Sequence, residues 1–148
     1  MTTAAVTTVA ATTVAATTAA AAPSGPLHAV RLGAGPLRFA FCHGLFGRGR
    51  NWTSVARGLL PDASWLVDLP NHGRSPWTAR VDYGDMADAL TAWLAGLGPG
   101  EAAADLTLVG HSMGGQTAML AALRRPDLVP RLAVVDSAPA DIPAGGLA

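Results

Sequence analysis

The 148-residue sequence predicts a three-layer α/β fold with a mostly parallel sheet, and two observations carry this prediction. Short apolar runs alternate along the chain with segments of helical periodicity, as in domains built from repeated strand and helix units. The runs LTLV and LAVV are almost continuously apolar, which is typical of parallel strands covered on both faces. The five predicted strands are Leu27–Leu32, Leu37–Cys42, Ser64–Val67, Leu106–Val109 and Arg131–Val135.

Three helices are predicted between these strands from their boundary residues. Side chains that accept hydrogen bonds favour helix starts, whereas cations and proline favour helix ends. The predicted helices are Trp52–Leu60 with Asn51 as its cap, a second one capped by Asp82 and reaching about Leu97, and a third that follows Gly114 and ends at Arg124-Arg125-Pro126.

The composition divides the chain into an Ala/Thr-rich leader with a linker, residues 1–26, and a domain, residues 27–148. The first 22 residues hold ten Ala, eight Thr, three Val and the initial Met, and their Thr pairs recur every five residues. That period fits neither a helical nor a strand face, so we interpret the segment as low-complexity sequence. A secretory signal is the alternative, although the leader has no basic start and a poor apolar centre.

Charge and cysteine content exclude several classes of protein. Ten Arg balance nine Asp and one Glu, so no basic surface for nucleic acid or acidic membranes is expected. The single Cys42 excludes an intramolecular disulfide and a cysteine-based zinc site. No glycine pattern that cradles phosphate occurs at a strand-to-helix turn. We therefore expect a cytoplasmic protein, with secretion as the alternative, that has no metal, cofactor, nucleic-acid or membrane partner.

The strongest local motif is GHSMGG, residues 110–115, which directly follows a predicted strand and opens a predicted helix. A G-x-S-x-G motif at such a junction lifts its serine above the sheet, and the helix start behind it favours negative charge. We therefore expect Ser112 to have a strained backbone and to face the amide of Leu45 or Phe46. The other interpretation is a glycine-rich turn in which Ser112 caps the helix.

A second motif, FCHGLFG at residues 41–47, ends the second predicted strand. In a site built on a serine elbow, one amide of this loop and the amide after the serine bind the oxyanion of a tetrahedral intermediate. The predicted donors are Leu45 and Met113, with Phe46 as the alternative to Leu45. His43 and Gly44 alone would indicate only a tight turn, but both motifs lie at strand ends, where ligand sites of open α/β sheets collect.

Two acidic residues also follow predicted strands. Asp68, in VDLPNHGRS, precedes Ser112 and is expected to stabilise its own loop. Asp136, in VVDSAP, follows Ser112 by 24 residues and could orient a histidine, or instead form a turn. The substrate-pocket candidates are His43, His111 and Trp77; for His111, packing at the elbow is the favoured role.

Five segments in order, from HGLFGRGRNW through LVDLPNHGRSPW, YGDMADALTAWL and LVGHSMGGQTAMLAALRRPDLVPRLAVVD to SAP, resemble the N-terminal half of an α/β-hydrolase of the AB hydrolase-1 type. More narrowly, they are similar to bacterial short-chain esterases related to abhydrolase domain-containing protein eleven. The resemblance runs from about Leu27 to Pro139. It implies hydrolysis of a carboxylic ester or thioester through an acyl-enzyme on Ser112, with Asp136 as the acid of the site. C–C bond hydrolases and perhydrolases share the elbow and remain alternatives.

The histidines depart from the pattern of this family. In the fold, the catalytic His follows both the serine and the acid, but all four histidines here precede Ser112. We therefore expect a fold truncated after about the fifth strand, with little activity alone and a sheet edge open to self-association. A non-catalytic half domain is the alternative from a different class of function.

Overall fold

The computed structural model describes residues 25–98 and 105–139, which form an α/β fold. The leader predicted for residues 1–26 therefore lies almost entirely outside the described residues. The strands are β1 (Ala29–Leu32), β2 (Leu37–Cys42), β3 (Ala63–Val67), β4 (Thr107–His111) and β5 (Arg131–Val135). A 3₁₀ helix, Gly49–Trp52, precedes the α-helices α1 (Thr53–Gly58), α2 (Tyr83–Ala95) and α3 (Met113–Arg124). The five predicted strands are thus confirmed, with ends that differ by two residues or fewer.

The strands form one mostly parallel sheet in the order β1-β3-β2-β4-β5. Only β1 runs antiparallel to its neighbour β3, while the other pairs are parallel. Cys42 at the end of β2 pairs with Val67 on one side and Gly110 on the other. The loops that leave β2, β3, β4 and β5 therefore emerge at the same edge of the sheet, where the predicted site lies.

Helices cover both faces of this sheet, which confirms the three-layer prediction. On one face α2 and α3 pack over a large core that includes Ala40 and Cys42 of β2. On the other face Phe41 belongs to a smaller core with Ala56 of α1 and stacks on Trp52, with ring centroids 4.9 Å apart. Successive side chains of β2 thus pack on opposite faces of the sheet, as the pleat of a strand requires.

The helix starts follow the prediction at α2 but not at α1. The carboxylate of Asp82 accepts hydrogen bonds from the amides of Gly84 and Asp85 at 2.8 and 3.2 Å, so it is the predicted cap. Asn51 is not the cap of α1, because the chain turns earlier, into the 3₁₀ helix at Gly49. Its side chain instead accepts a hydrogen bond from the Arg48 amide at 2.8 Å.

Tertiary contacts explain this early turn. The Gly49 amide donates a hydrogen bond to the Asp68 carboxylate at 2.7 Å, which draws the loop onto the end of β3. A methyl group at Gly49 would lie 2.6 Å from the carbonyl carbon of Leu66, so only glycine fits there. The helix after the loop is consequently shorter than the predicted Trp52–Leu60. The third helix differs less, since α3 begins at Met113 rather than after Gly114.

Candidate active site

Ser112 is the single residue between β4 and α3. Its backbone has φ 50° and ψ −116°, which is strained for a residue with a side chain and costs about 1–3 kcal/mol. The strained turn predicted at Ser112 is thus confirmed. Ser112 occupies the N-cap position of α3, but its side chain makes no capping hydrogen bond to the helix. The hydroxyl of Ser112 is therefore available for a role other than helix capping.

Two glycines let the elbow and the loop after β2 approach each other. A methyl group at Gly114 would lie 2.5 Å from the carbonyl oxygen of His43. A methyl group at Gly44 would lie 2.8 Å from Nδ1 of His111 and 3.4 Å from Cβ of Ser112. The two motifs that the sequence separates by about 70 residues are therefore in direct contact.

The loop after β2 forms a tight turn beside Ser112. The Gly47 amide donates to the Gly44 carbonyl at 2.9 Å, and Phe46 adopts φ 61°. Leu45 and Phe46, at the tip of the turn, have exposed side chains. In the described part of the chain, the amides of Leu45 and Met113 donate to no other backbone group. The Phe46 amide likewise has no backbone acceptor among the described residues, so Leu45, Phe46 and Met113 all stay candidate donors to an anionic oxygen.

His43 lies beneath this turn and is buried, with 1% of its surface exposed. Its Nδ1 donates to the Gly44 carbonyl at 2.8 Å, and its Nε2 accepts from the Leu69 amide at 3.1 Å. Burial lowers the pKa of His43, more than the hydrogen bond to Gly44 raises it. His43 is thus buried between two loops, and its prediction as a substrate-pocket residue stays untested.

Asp136 follows β5 directly and has φ 49°. Its Oδ2 lies 3.9 Å from Nε2 of His111, and the amide of Ser112 donates to the carbonyl of Val135 at 3.1 Å. The Asp136 carboxylate therefore lies beside the elbow, and its role as the acid of the site stays a prediction. The ring of His111 lies against Gly44, with 42% of the side chain exposed, and its packing role at the elbow stays a prediction.

Gln116 is a site residue that the sequence reasoning missed. Its side chain donates to Ser137 Oγ at 3.1 Å and to the Ala138 carbonyl at 2.6 Å. These bonds tie the loop that carries Asp136 to the first turn of α3. Its spacing from Ser112 could have predicted this, because a residue one helical turn later lies on the same side of the helix.

Asp68 organises the loop after β3, which confirms its expected role. Its buried carboxylate accepts from the amides of Gly49 and Arg74 at 2.7 and 2.9 Å and from Nδ1 of His28 at 3.0 Å. Burial raises the pKa of Asp68, but these three donors together lower it below its ordinary value. His28, 40 residues away, is a partner that the sequence did not predict.

The remaining candidate, Trp77, also follows β3 and is 76% exposed. Its contribution to an acyl pocket stays a prediction. Over residues 25–98 and 105–139, no group of three His, Cys, Asp or Glu side chains could hold a metal ion. In the same two ranges, no helix has the length and apolar character needed to cross a membrane.

Comparison with protein families gives the class to which this fold and elbow belong. The model of the alpha/beta hydrolase fold matches residues 38–145, and the chain therefore belongs to that family. The matched range contains both motifs and Asp136. The resemblance noted from the sequence motifs is thus confirmed at the level of the family.

Among individual proteins, the chain is similar to esterases and lipases. It is 45% identical to sn-1-specific diacylglycerol lipase ABHD11 of Mus musculus over 67% of this chain and 32% of the relative. It is 40% identical to Lipase LipV of Mycobacterium tuberculosis, over 76% of this chain and 42% of the relative. An esterase from a marine microorganism superposes with a TM-score of 0.71 at 35% identity, over 79% of this chain and 44% of that structure. The chain thus spans about a third to less than half of the length of these relatives.

Proposed function

We propose that this chain carries the nucleophile and oxyanion-binding part of a serine hydrolase that acts on carboxylic esters or thioesters. The observation that carries the proposal is the strained backbone of Ser112, the single residue between β4 and α3. Its hydroxyl does not form a capping hydrogen bond with α3. The esterase and lipase relatives support ester hydrolysis as the reaction class. Epoxide opening in this fold instead uses an aspartate at the position of Ser112. We keep a cytoplasmic location as part of the proposal.

In the proposed reaction, Ser112 Oγ attacks the carbonyl carbon and loses its proton to a base. The carbonyl oxygen becomes an oxyanion held by the amides of Leu45 and Met113, with Phe46 as the alternative to Leu45. The bond to the alcohol or thiol then breaks, and the leaving group takes the proton. Water hydrolyses the acyl-enzyme in a second cycle of the same steps.

Asp136 would orient the base in this scheme, but the 148 residues contain no histidine after Ser112. His111 is a poor substitute, because its Nε2 faces Asp136 and its Nδ1 faces Gly44. In a serine protease, losing the histidine alone costs on the order of a millionfold in turnover. We therefore propose that this chain alone is impaired as an enzyme.

Turnover of p-nitrophenyl acetate and butyrate by the purified chain tests this proposal. We expect the parent to exceed Ser112→Ala only slightly, and Ser54→Ala, an exposed serine on α1, to match the parent. Added imidazole should raise the parent rate more than the Ser112→Ala rate, because it supplies the missing base. A large Ser112-dependent rate without imidazole would contradict the proposed impairment. No difference under any condition would favour the non-catalytic half domain.

A further inference from the structure

We propose that His43 is a positioning residue that clamps the oxyanion loop, residues 43–47, to the loop after β3. The inference rests on the proposed function only for the role given to the oxyanion loop. The clamp itself is a set of contacts that do not involve Ser112. His43 acts through backbone groups and does not contact a substrate, since it is buried beneath the turn.

Each ring nitrogen of His43 has one defined partner: that of Nδ1 lies in the oxyanion loop itself, and that of Nε2 lies in the loop after β3. Nδ1 carries the hydrogen and donates to the Gly44 carbonyl, which also accepts from the Gly47 amide and so closes the turn. Nε2 carries a lone pair and accepts from the amide of Leu69, just beyond β3. Only the neutral ring, with hydrogen on Nδ1, satisfies both bonds. Protonation would place an N–H group against the amide of Leu69.

Burial of the ring favours the neutral form of His43 over the opposing effects of its neighbours. Burial lowers its pKa most, and a charge on His72, whose ring centroid lies 5.0 Å away, lowers it further. The bond to Gly44 and the carboxylate of Asp68 raise the pKa, but by less. The folded state therefore takes up this proton at lower pH than the unfolded chain, whose ordinary value is 6.5. The clamp is intact above that value and is lost as the pH falls through the folded-state pKa.

Two conservative variants separate the two bonds. Asn at position 43 can donate to the Gly44 carbonyl but leaves the Leu69 amide without its acceptor, whereas Gln can reach Leu69 but not Gly44. In His43→Asn, hydrogen exchange of the Leu69 amide should become roughly five- to tenfold faster, while the Gly47 amide changes little. In His43→Gln, exchange of the Gly47 amide should become faster, while exchange of the Leu69 amide changes little. His72→Gln is the control at neutral pH, because the His72 side chain bonds to the Pro70 carbonyl, at 2.9 Å, and to neither partner of the His43 ring. Leu69 and Gly47 should then exchange as in the parent.

The pH dependence gives a readout that loss of packing alone would not produce. After correction for intrinsic exchange, protection of Leu69 in the parent should fall as the pH drops below 6.5, and in His43→Gln it should stay flat. Uniform acceleration throughout the sheet in both variants, or a pH response unchanged by His43→Gln, would overturn the inference. The same protection is expected in Ser112→Ala. A failure of the clamp is therefore distinguishable from a failure of the proposed reaction.

Discussion

At the scale of single residues, backbone strain is concentrated at the candidate site. Four described residues other than glycine have positive φ, and three of them, Phe46, Ser112 and Asp136, lie in the loops that leave β2, β4 and β5. Each such residue costs free energy that the surrounding contacts must offset. Only Ser112 belongs to a motif that predicts strain from sequence. Phe46 has its positive φ inside the turn closed by the Gly47–Gly44 hydrogen bond, and Asp136 has its own directly after β5.

Asp68 provides a prediction at the same scale. Replacing it in Asp68→Asn should lower the free energy of unfolding by about 2–4 kcal/mol at neutral pH, because buried donors lose a charged acceptor. Asp68 has a pKa below its ordinary 3.8 when folded, so the unfolded chain binds the proton first as the pH falls. The difference between parent and variant should be full above pH 3.8 and shrink below it. Urea denaturation at several pH values measures it.

Asp127→Asn is the matched control for this experiment. Asp127 is exposed and pairs with Arg125, at 2.6 Å, so its loss should change stability far less. Equal losses in both variants, or a difference at Asp68 that persists unchanged in acid, would contradict the importance of the buried hydrogen bonds.

At the scale of secondary-structure elements, we expect β5 to determine how the chain associates in solution. Among the described residues, β5 has a paired neighbour only on its β4 side, and Leu132 and Val135 have exposed side chains. An apolar strand with a free edge pairs readily with another chain. We expect sedimentation velocity to show self-association that increases with protein concentration in the micromolar range. Leu132→Lys should weaken it.

The comparison variant for the edge is Leu123→Lys, which changes an exposed leucine on α3. It should leave the self-association as it is in the parent. A compact monomer at all concentrations tested, or equal effects of the two lysines, would show that the β5 edge is not the contact.

The elements that could be predicted from sequence are those defined by local pattern. Strand β2 has an apolar composition, and α2 has Asp82 at its start, so both follow from neighbouring residues. The 3₁₀ helix at Gly49 could not be predicted, because it depends on Asp68, 19 residues later. A capping residue such as Asn51 competes with such tertiary bonds, and here the tertiary bonds are the stronger.

At the scale of the whole molecule, some features of the candidate site follow from sequence pattern and others only from tertiary contacts. The position of Ser112 and the contact between the two motifs follow from strand ends that share one edge of a parallel sheet. The bonds of His28 to Asp68 and of Gln116 to Ser137 could not be predicted, since neither pair belongs to a motif. They depend on how loops far apart in sequence pack after the sheet has formed.

The buried thiol of Cys42 can be used to measure how often the centre of the sheet opens. The thiol is fully buried on β2, between β3 and β4, and burial raises its pKa to about 12. A disulfide reagent reacts with the thiolate, so modification must await opening of the sheet centre. We expect the native chain to be labelled far more slowly than the urea-unfolded chain. Fast native labelling would contradict this. The rate ratio converts directly into the free energy of exposing the strand under the oxyanion loop, with no engineered probe.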